Sequence, residues 1–107
     1  MSAVKRLVDE HDLLLHEPGR LAIVSMLAAA PALTFTELRD TLEMTDGNLS
    51  VHLQKLEKPG FVAIDKQFVG KRPQTTIRLT AAGRQAFTQY LNHLEALVKQ
   101  GRSRHGA

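Results

Sequence analysis

Residues 34–58, TFTELRDTLEMTDGNLSVHLQKLEK, decide how this chain folds. They read as two short helices joined by a tight turn. Thr34 is placed to accept from the backbone N–H three residues on, and Glu37 to reach back, which makes a capping box. Phe35, Leu38 and Leu42 give the first helix an apolar stripe. Met44 closes the turn. Thr45 is placed to cap the second helix, with Asp46 favourable in its first turn. Leu49, Leu53 and Leu56 recur at i, i+4 and i+7 and mark its buried side. The opposite side carries Gly47, Asn48, Ser50, Val51, Gln54, Lys55 and Lys58. Small groups, amides, a hydroxyl and cations are the side-chain types that read base edges and hold phosphates in a major groove.

The surrounding 107 residues suffice for one ordinary domain. With 43% apolar residues a hydrophobic core is expected. The chain has no Cys, which excludes disulfides, Cys-ligated zinc and thiol catalysis and fits a reducing, cytoplasmic setting. The longest apolar run, residues 21–33, contains Ser25 and Pro31 and falls short of the roughly 20 residues of a membrane span. Net charge is +3, but it is unevenly distributed. Residues 1–46 carry four basic and eight acidic side chains, and residues 47–107 carry ten basic and three acidic, giving −4 and +7. The excess begins where the second helix begins. It suggests a polyanion-binding surface, although a solvated basic face has the same signature.

Before the pair, residues 1–16 read as a helix with Val4, Leu7, Val8, His11, Leu14 and Leu15 on a broad apolar side. Pro18 suits the first turn of the next helix, which is apolar almost all round and should be the most buried. Pro31 stops it. After the pair, Pro59-Gly60 ends the second helix and the period changes. Phe61, Val62, Ile64, Phe68 and Val69 are strand formers; Gly70-Lys71-Arg72-Pro73 is a turn cluster; Thr75, Thr76, Ile77 and Leu79 make the return strand. Thr80 caps a last helix to about residue 100. There Phe87, Leu91, Leu94 and Val98 share one face with Tyr90 and Leu97 beside them. Residues 101–107, GRSRHGA, read as a disordered tail. The fold expected is mainly α with a two-stranded β-wing: a winged helix-turn-helix over residues 1–100, with the reading helix at 45–58, the wing at 61–79 and a dimerisation helix at 81–100. The terminal helices carry more apolar surface than so small a domain buries alone, so a dimer seam is the preferred reading of their stripe.

The run TFTELRDTLEMTDGNLSVHLQKLEKPGFV, followed by KQFVGKRPQTTIRLTAAGRQAF, closely resembles the small winged-helix transcriptional regulators of bacteria and archaea, relatives of the MarR and ArsR groups. Three motifs in order carry it: TDGNLS opening the reading helix, GKRP at the wing tip, and LTAAGR opening the last helix. The resemblance implies a homodimer on a pseudo-palindromic operator in double-stranded DNA, in the cytoplasm and associated with the nucleoid. It places Thr45, Asp46, Gly47, Asn48, Ser50, Val51, Gln54 and Lys55 at the groove, and Lys71 and Arg72 on a flanking minor groove or phosphates. It puts Val4, Leu7, Val8 and Leu14 of the first helix, with Phe87, Tyr90, Leu91, Leu94, Leu97 and Val98 of the last, in the dimer interface. The function implied is a sequence-specific regulator, a repressor, with no cofactor and with room for an unknown small-molecule effector. Paired Cys ligands of arsenic-sensor-like members are missing, and the terminal helices are shorter than those enclosing effector pockets in larger relatives.

From the residues themselves, Asn48 or Gln54 could pair with adenine and Lys55 with guanine or a phosphate, while Val51 could touch a thymine methyl. The helix has no Arg, so groove shape would contribute. Gly47 in a first helical turn lowers stability by about 1 kcal/mol against Ala, which a close approach to DNA would explain. Lys66 and Arg78 on the wing strands could add phosphate contacts. Two alternatives stay open: a winged-helix protein-interaction module, and a metal-responsive regulator using His11, His93 and nearby carboxylates if the terminal helices meet across a dimer. The histidines lack the i, i+4 spacing of a helical metal site, so no metal ligand is assigned. Catalysis has little support. There is no GxSxG or Gly-rich phosphate loop, and Ser50 and His52 point about 100° apart on a helix.

Overall fold

The computed structural model describes residues 9–105, with side chains through Arg102. Within the expected first helix it describes α1, Glu10–His16; Val4, Leu7 and Val8 lie outside the described residues. Asp9 caps α1 through a capping box with Asp12, whose backbone N–H donates to Asp9 Oδ1 at 2.9 Å. Glu17 is extended and breaks the chain between α1 and α2, Pro18–Ala29. Its carboxylate accepts from the Arg20 N–H at 2.9 Å, while Pro18 takes a first-turn position where its missing N–H is not needed. Ile23, Val24 and Leu27 of α2 are fully buried.

After Pro31 comes a strand the periodicity did not reveal, β1, Leu33–Thr34. Two residues are too few to show alternation. Thr34 then caps α3, Phe35–Leu42, with the expected reciprocal bonds to Glu37 at 3.0 and 2.9 Å. The turn rests on Glu43, which adopts the left-handed conformation at φ 53° and directs its N–H back to Asp40. Met44 follows, half-buried, its N–H on the Arg39 carbonyl at 3.0 Å. Helix α4, Asp46–Glu57, has Thr45 as N-cap and Lys58 as C-cap, so the expected span 45–58 includes both caps.

Strands β2, Val62–Val69, and β3, Arg72–Leu79, pair antiparallel from Val62–Leu79 out to Val69–Arg72. Because β1 adds to β3, the sheet has three strands in the order β1-β3-β2, where two were expected. The turn is also tighter than the sequence suggested. Gly70 and Lys71 alone connect the strands, with Gly70 at φ 65°, and Arg72 and Pro73 already belong to β3. Pro73 is tolerated because β1 pairs only with Thr76 and Ile77, leaving β3 one neighbour at its start.

Helix α5, Ala81–His105, opens on Thr80, whose Oγ1 accepts from the Gly83 N–H at 3.0 Å. It does not stop near residue 100 as expected but continues through 101–105, the first part of the supposed tail. An established helix propagates at one hydrogen bond per residue, and the cation of Arg102 suits its C-terminal dipole. Leu15, Ile23, Val24, Leu27, Leu38, Leu49 and Leu56 form the centre of one core, closed below by Ile77 of the sheet and by Tyr90 of α5.

Candidate nucleic-acid interface

Helix α4 buries one side and presents the other. Leu49 and Leu56 are fully buried and Leu53 nearly so. Behind them His52 docks the helix on the start of α2: its Nδ1 lies 3.3 Å from Arg20 Nη1 and its Nε2 faces Glu17 at 3.8 Å. A side chain at Gly19 would collide with this imidazole, its Cβ falling 2.7 Å from Nε2. His52 is thus a packed helix residue. Thr45, Asp46, Gly47, Asn48, Val51, Gln54 and Lys55 are all exposed, and Val51 keeps 49% of its surface. Ser50 is half-buried at the wing side. Gly47 has no atom within 4 Å of the position its Cβ would take, so nothing inside the protein requires a glycine there.

One side chain on this surface was not singled out by the sequence. Arg39 of α3 donates to Asp40 at 2.9 Å and to Asp46 at 3.0 Å. The Asp40 carboxylate, and after it Asp46, raises the pKa of this guanidinium above its ordinary value. The Asp46 carboxylate at the start of α4 is thus already engaged with a cation of its own chain. The seven-residue separation between Arg39 and Asp46 spans a turn, so helical spacing gave no sign of the pair.

A groove of about 420 Å³ separates α4 from the wing, between Ser50 and Gln54 on one wall and Lys66 and Thr75 on the other. Lys66, Lys71, Arg72 and Arg78 are exposed on the hairpin. Among the described residues none of these cations, nor Lys55, forms an ion pair. Phe68 and Val69 of the wing are 75% and 59% exposed, a second feature the alternation did not single out. From the Gln67–Gln74 pair outward the hairpin leaves the body of the domain, and both of its strands meet solvent.

Helices α1 and α5 carry an exposed apolar stripe. Leu91, Leu94 and Val98 of α5 and Leu13 of α1 are exposed, while Phe87, Leu97 and Leu14 are half-buried. Tyr90 is only 5% exposed, and its hydroxyl lies 3.0 Å from His16 Nδ1, so it packs within its own chain. No described helix is long and apolar enough to cross a membrane.

Residues 20–98 match the winged helix DNA-binding domain family. An uncharacterized protein of Methanocaldococcus jannaschii is 39% identical over 80 residues, 75% of this chain and 87% of its own. A transcriptional regulator homologue from Pyrococcus horikoshii superposes with a TM-score of 0.81 at 29% identity, covering 94% of this chain and 97% of that one. AbfR, solved in its reduced form bound to DNA, shares the fold at TM-score 0.67 and 21% identity over 80% of this chain and 64% of its own. Fold and surface define a DNA-binding regulator of the winged helix type. The chain belongs to the winged helix DNA-binding domain family.

Proposed function

We propose that this protein is a sequence-reading transcriptional repressor that binds a pseudo-palindromic operator as a homodimer. The observation that carries the reading is the exposed face of α4 beside a wing whose cations form no ion pairs among the described residues. Laid in a major groove, α4 presents Asn48 and Gln54 to adenine edges, Val51 to a thymine methyl, and Lys55 to guanine or a phosphate. The wing carries Lys66, Lys71 and Arg72 to the flanking backbone, across the groove that separates it from α4. Thr45, Gly47 and Ser50 allow close approach at the rim, and Asp46 holds Arg39 there. AbfR, a protein with the same fold, is solved bound to DNA, which agrees with DNA as the partner.

The exposed apolar surface of α5 and α1 supports the dimer reading. Leu91, Leu94 and Val98 are spaced on one face of α5, and Leu13 of α1 extends it. A self-complementary contact of this kind gives two-fold symmetry. It would set two reading helices about one DNA turn apart, roughly 34 Å. An effector that changed the angle between protomers would change that spacing and release DNA.

The test is base preference. Gln54→Ala or Asn48→Ala is expected to relax selectivity at one position per half-site, at about 1–3 kcal/mol of discrimination for each good pair. Equal loss of affinity for every sequence would refute direct readout by these amides.

A further inference from the structure

Asp12 is the one buried charged side chain among the described residues, 2% exposed in the seam between α1 and α5. A carboxylate removed from water needs positive charge nearby. Among the described residues no lysine or arginine pairs with it. Its partners are the Asp9 backbone N–H, at 3.0 Å, and the imidazole of His93, whose Nδ1 lies 2.5 Å from Asp12 Oδ2. A second carboxylate, Asp9, stands in the same cluster, and the donor atoms of Asp9, Asp12 and His93 all lie within 4.8 Å of one another. Asp12 is buried against the imidazole, whereas Asp9 is exposed at the α1 N-terminus, so the cluster offers one buried and one water-accessible carboxylate beside a single nitrogen donor.

We propose that Asp9, Asp12 and His93 form a binding site for a divalent transition-metal ion. The capping box engages Asp9 Oδ1 and Asp12 Oδ2, which leaves a second oxygen on each carboxylate for a cation. Metal–donor distances of about 2.0–2.2 Å place tetrahedral donors roughly 3.4 Å apart, which small side-chain rotations reach from the present spacing. One nitrogen and two carboxylate oxygens suit zinc or cobalt, with the exposed side of Asp9 leaving a position open to water. Binding exchanges the proton of His93 Nδ1 for the metal, so one proton leaves when that nitrogen carried it. His11, which the sequence grouped with these residues, is turned away and packs edge-on against Phe61 at 5.1 Å. The site lies within one chain and needs no dimer to assemble. Since it joins α1 to α5, metal would brace the seam that the homodimer reading uses. That regulatory consequence rests on the proposed function, whereas the site itself does not.

Cobalt(II) titrated into the tag-free protein, read by its visible absorption bands and by competition with zinc, tests the site without DNA. The expected result is one equivalent per chain, with affinity reduced about tenfold or more in His93→Gln and in Asp9→Asn. Asn still caps α1, so the second variant removes charge without removing the cap. His11→Gln is expected to bind like the unaltered protein. Unchanged affinity in His93→Gln, or no saturable binding by the unaltered protein, overturns the proposal.

Discussion

Gly47→Ala separates what the fold needs from what DNA needs. The residue lies in the first turn of α4, one position after Asp46, with open space within 4 Å of its Cβ position. Its φ is not in the left-handed region. The folded protein can therefore accept a methyl group without strain. Replacing Gly by Ala in such a position stabilises by about 0.5–1 kcal/mol, mainly through the unfolded chain. For a domain of this size each kcal/mol is worth about 4–8 °C, so melting should rise by roughly 2–8 °C. DNA affinity should move the other way. A methyl group forced into a close backbone contact costs about 1–3 kcal/mol, the range for overpacking, and each ~1.4 kcal/mol is tenfold in affinity. Differential scanning calorimetry and fluorescence anisotropy on one operator fragment measure both quantities on the same preparation. A variant that is more stable and binds DNA as before would refute close approach at Gly47. One that is less stable would refute the account of its environment.

Gly83, in the first turn of α5, should behave oppositely. A Cβ on Gly83 would fall 2.1 Å from the Phe61 carbonyl oxygen, which also accepts from the Thr80 N–H, so Gly83→Ala should destabilise by about 1–3 kcal/mol in urea unfolding. Lys71→Ala with Arg72→Ala should weaken binding to all sequences alike and flatten the salt dependence by about 0.9 for each phosphate no longer neutralised; an unchanged slope would remove the wing from the interface. The Glu17 carboxyl is held below its ordinary value of 4.5 chiefly by the Arg20 N–H. A depressed carboxyl gives stability that is present above the ordinary value and lost as pH falls through the folded one. In thermal melts the advantage of the native protein over Glu17→Gln should thus be present at neutral pH and disappear as pH falls below 4.5 and through the folded value.

The helices were legible because each carries its own local signals. Thr34 and Glu37 announce α3, Thr45 announces α4, and Leu49, Leu53 and Leu56 fix which side of α4 turns inward. The exposed face of α4 was legible for the same reason. What escaped depends on tertiary proximity. β1 exists only because β3 offers it hydrogen bonds at Thr76 and Ile77. The Arg39–Asp46 pair spans a turn whose shape Glu43 sets by entering the left-handed region, which is uncommon for a residue with a side chain. Asp12 and His93 stand 81 residues apart and meet because α1 packs along α5 within one chain. Tyr90 sits beside the apolar stripe in sequence, yet its hydroxyl finds His16, and it turns into the core. The end of α5 was misjudged because a Gly- and Ser-containing segment has low helix propensity, while a long helix already formed needs no new nucleus to extend.

The central claim is that two copies of α4 read a symmetric DNA site. Capture of genomic fragments by the purified protein at two salt concentrations, with the bound DNA sequenced, tests it most directly. The account predicts a two-fold symmetric motif that survives the higher salt, with half-sites about 10 base pairs apart from centre to centre. Recovery of unselected DNA that is lost as salt rises would contradict it, leaving a basic surface that attracts DNA without reading it.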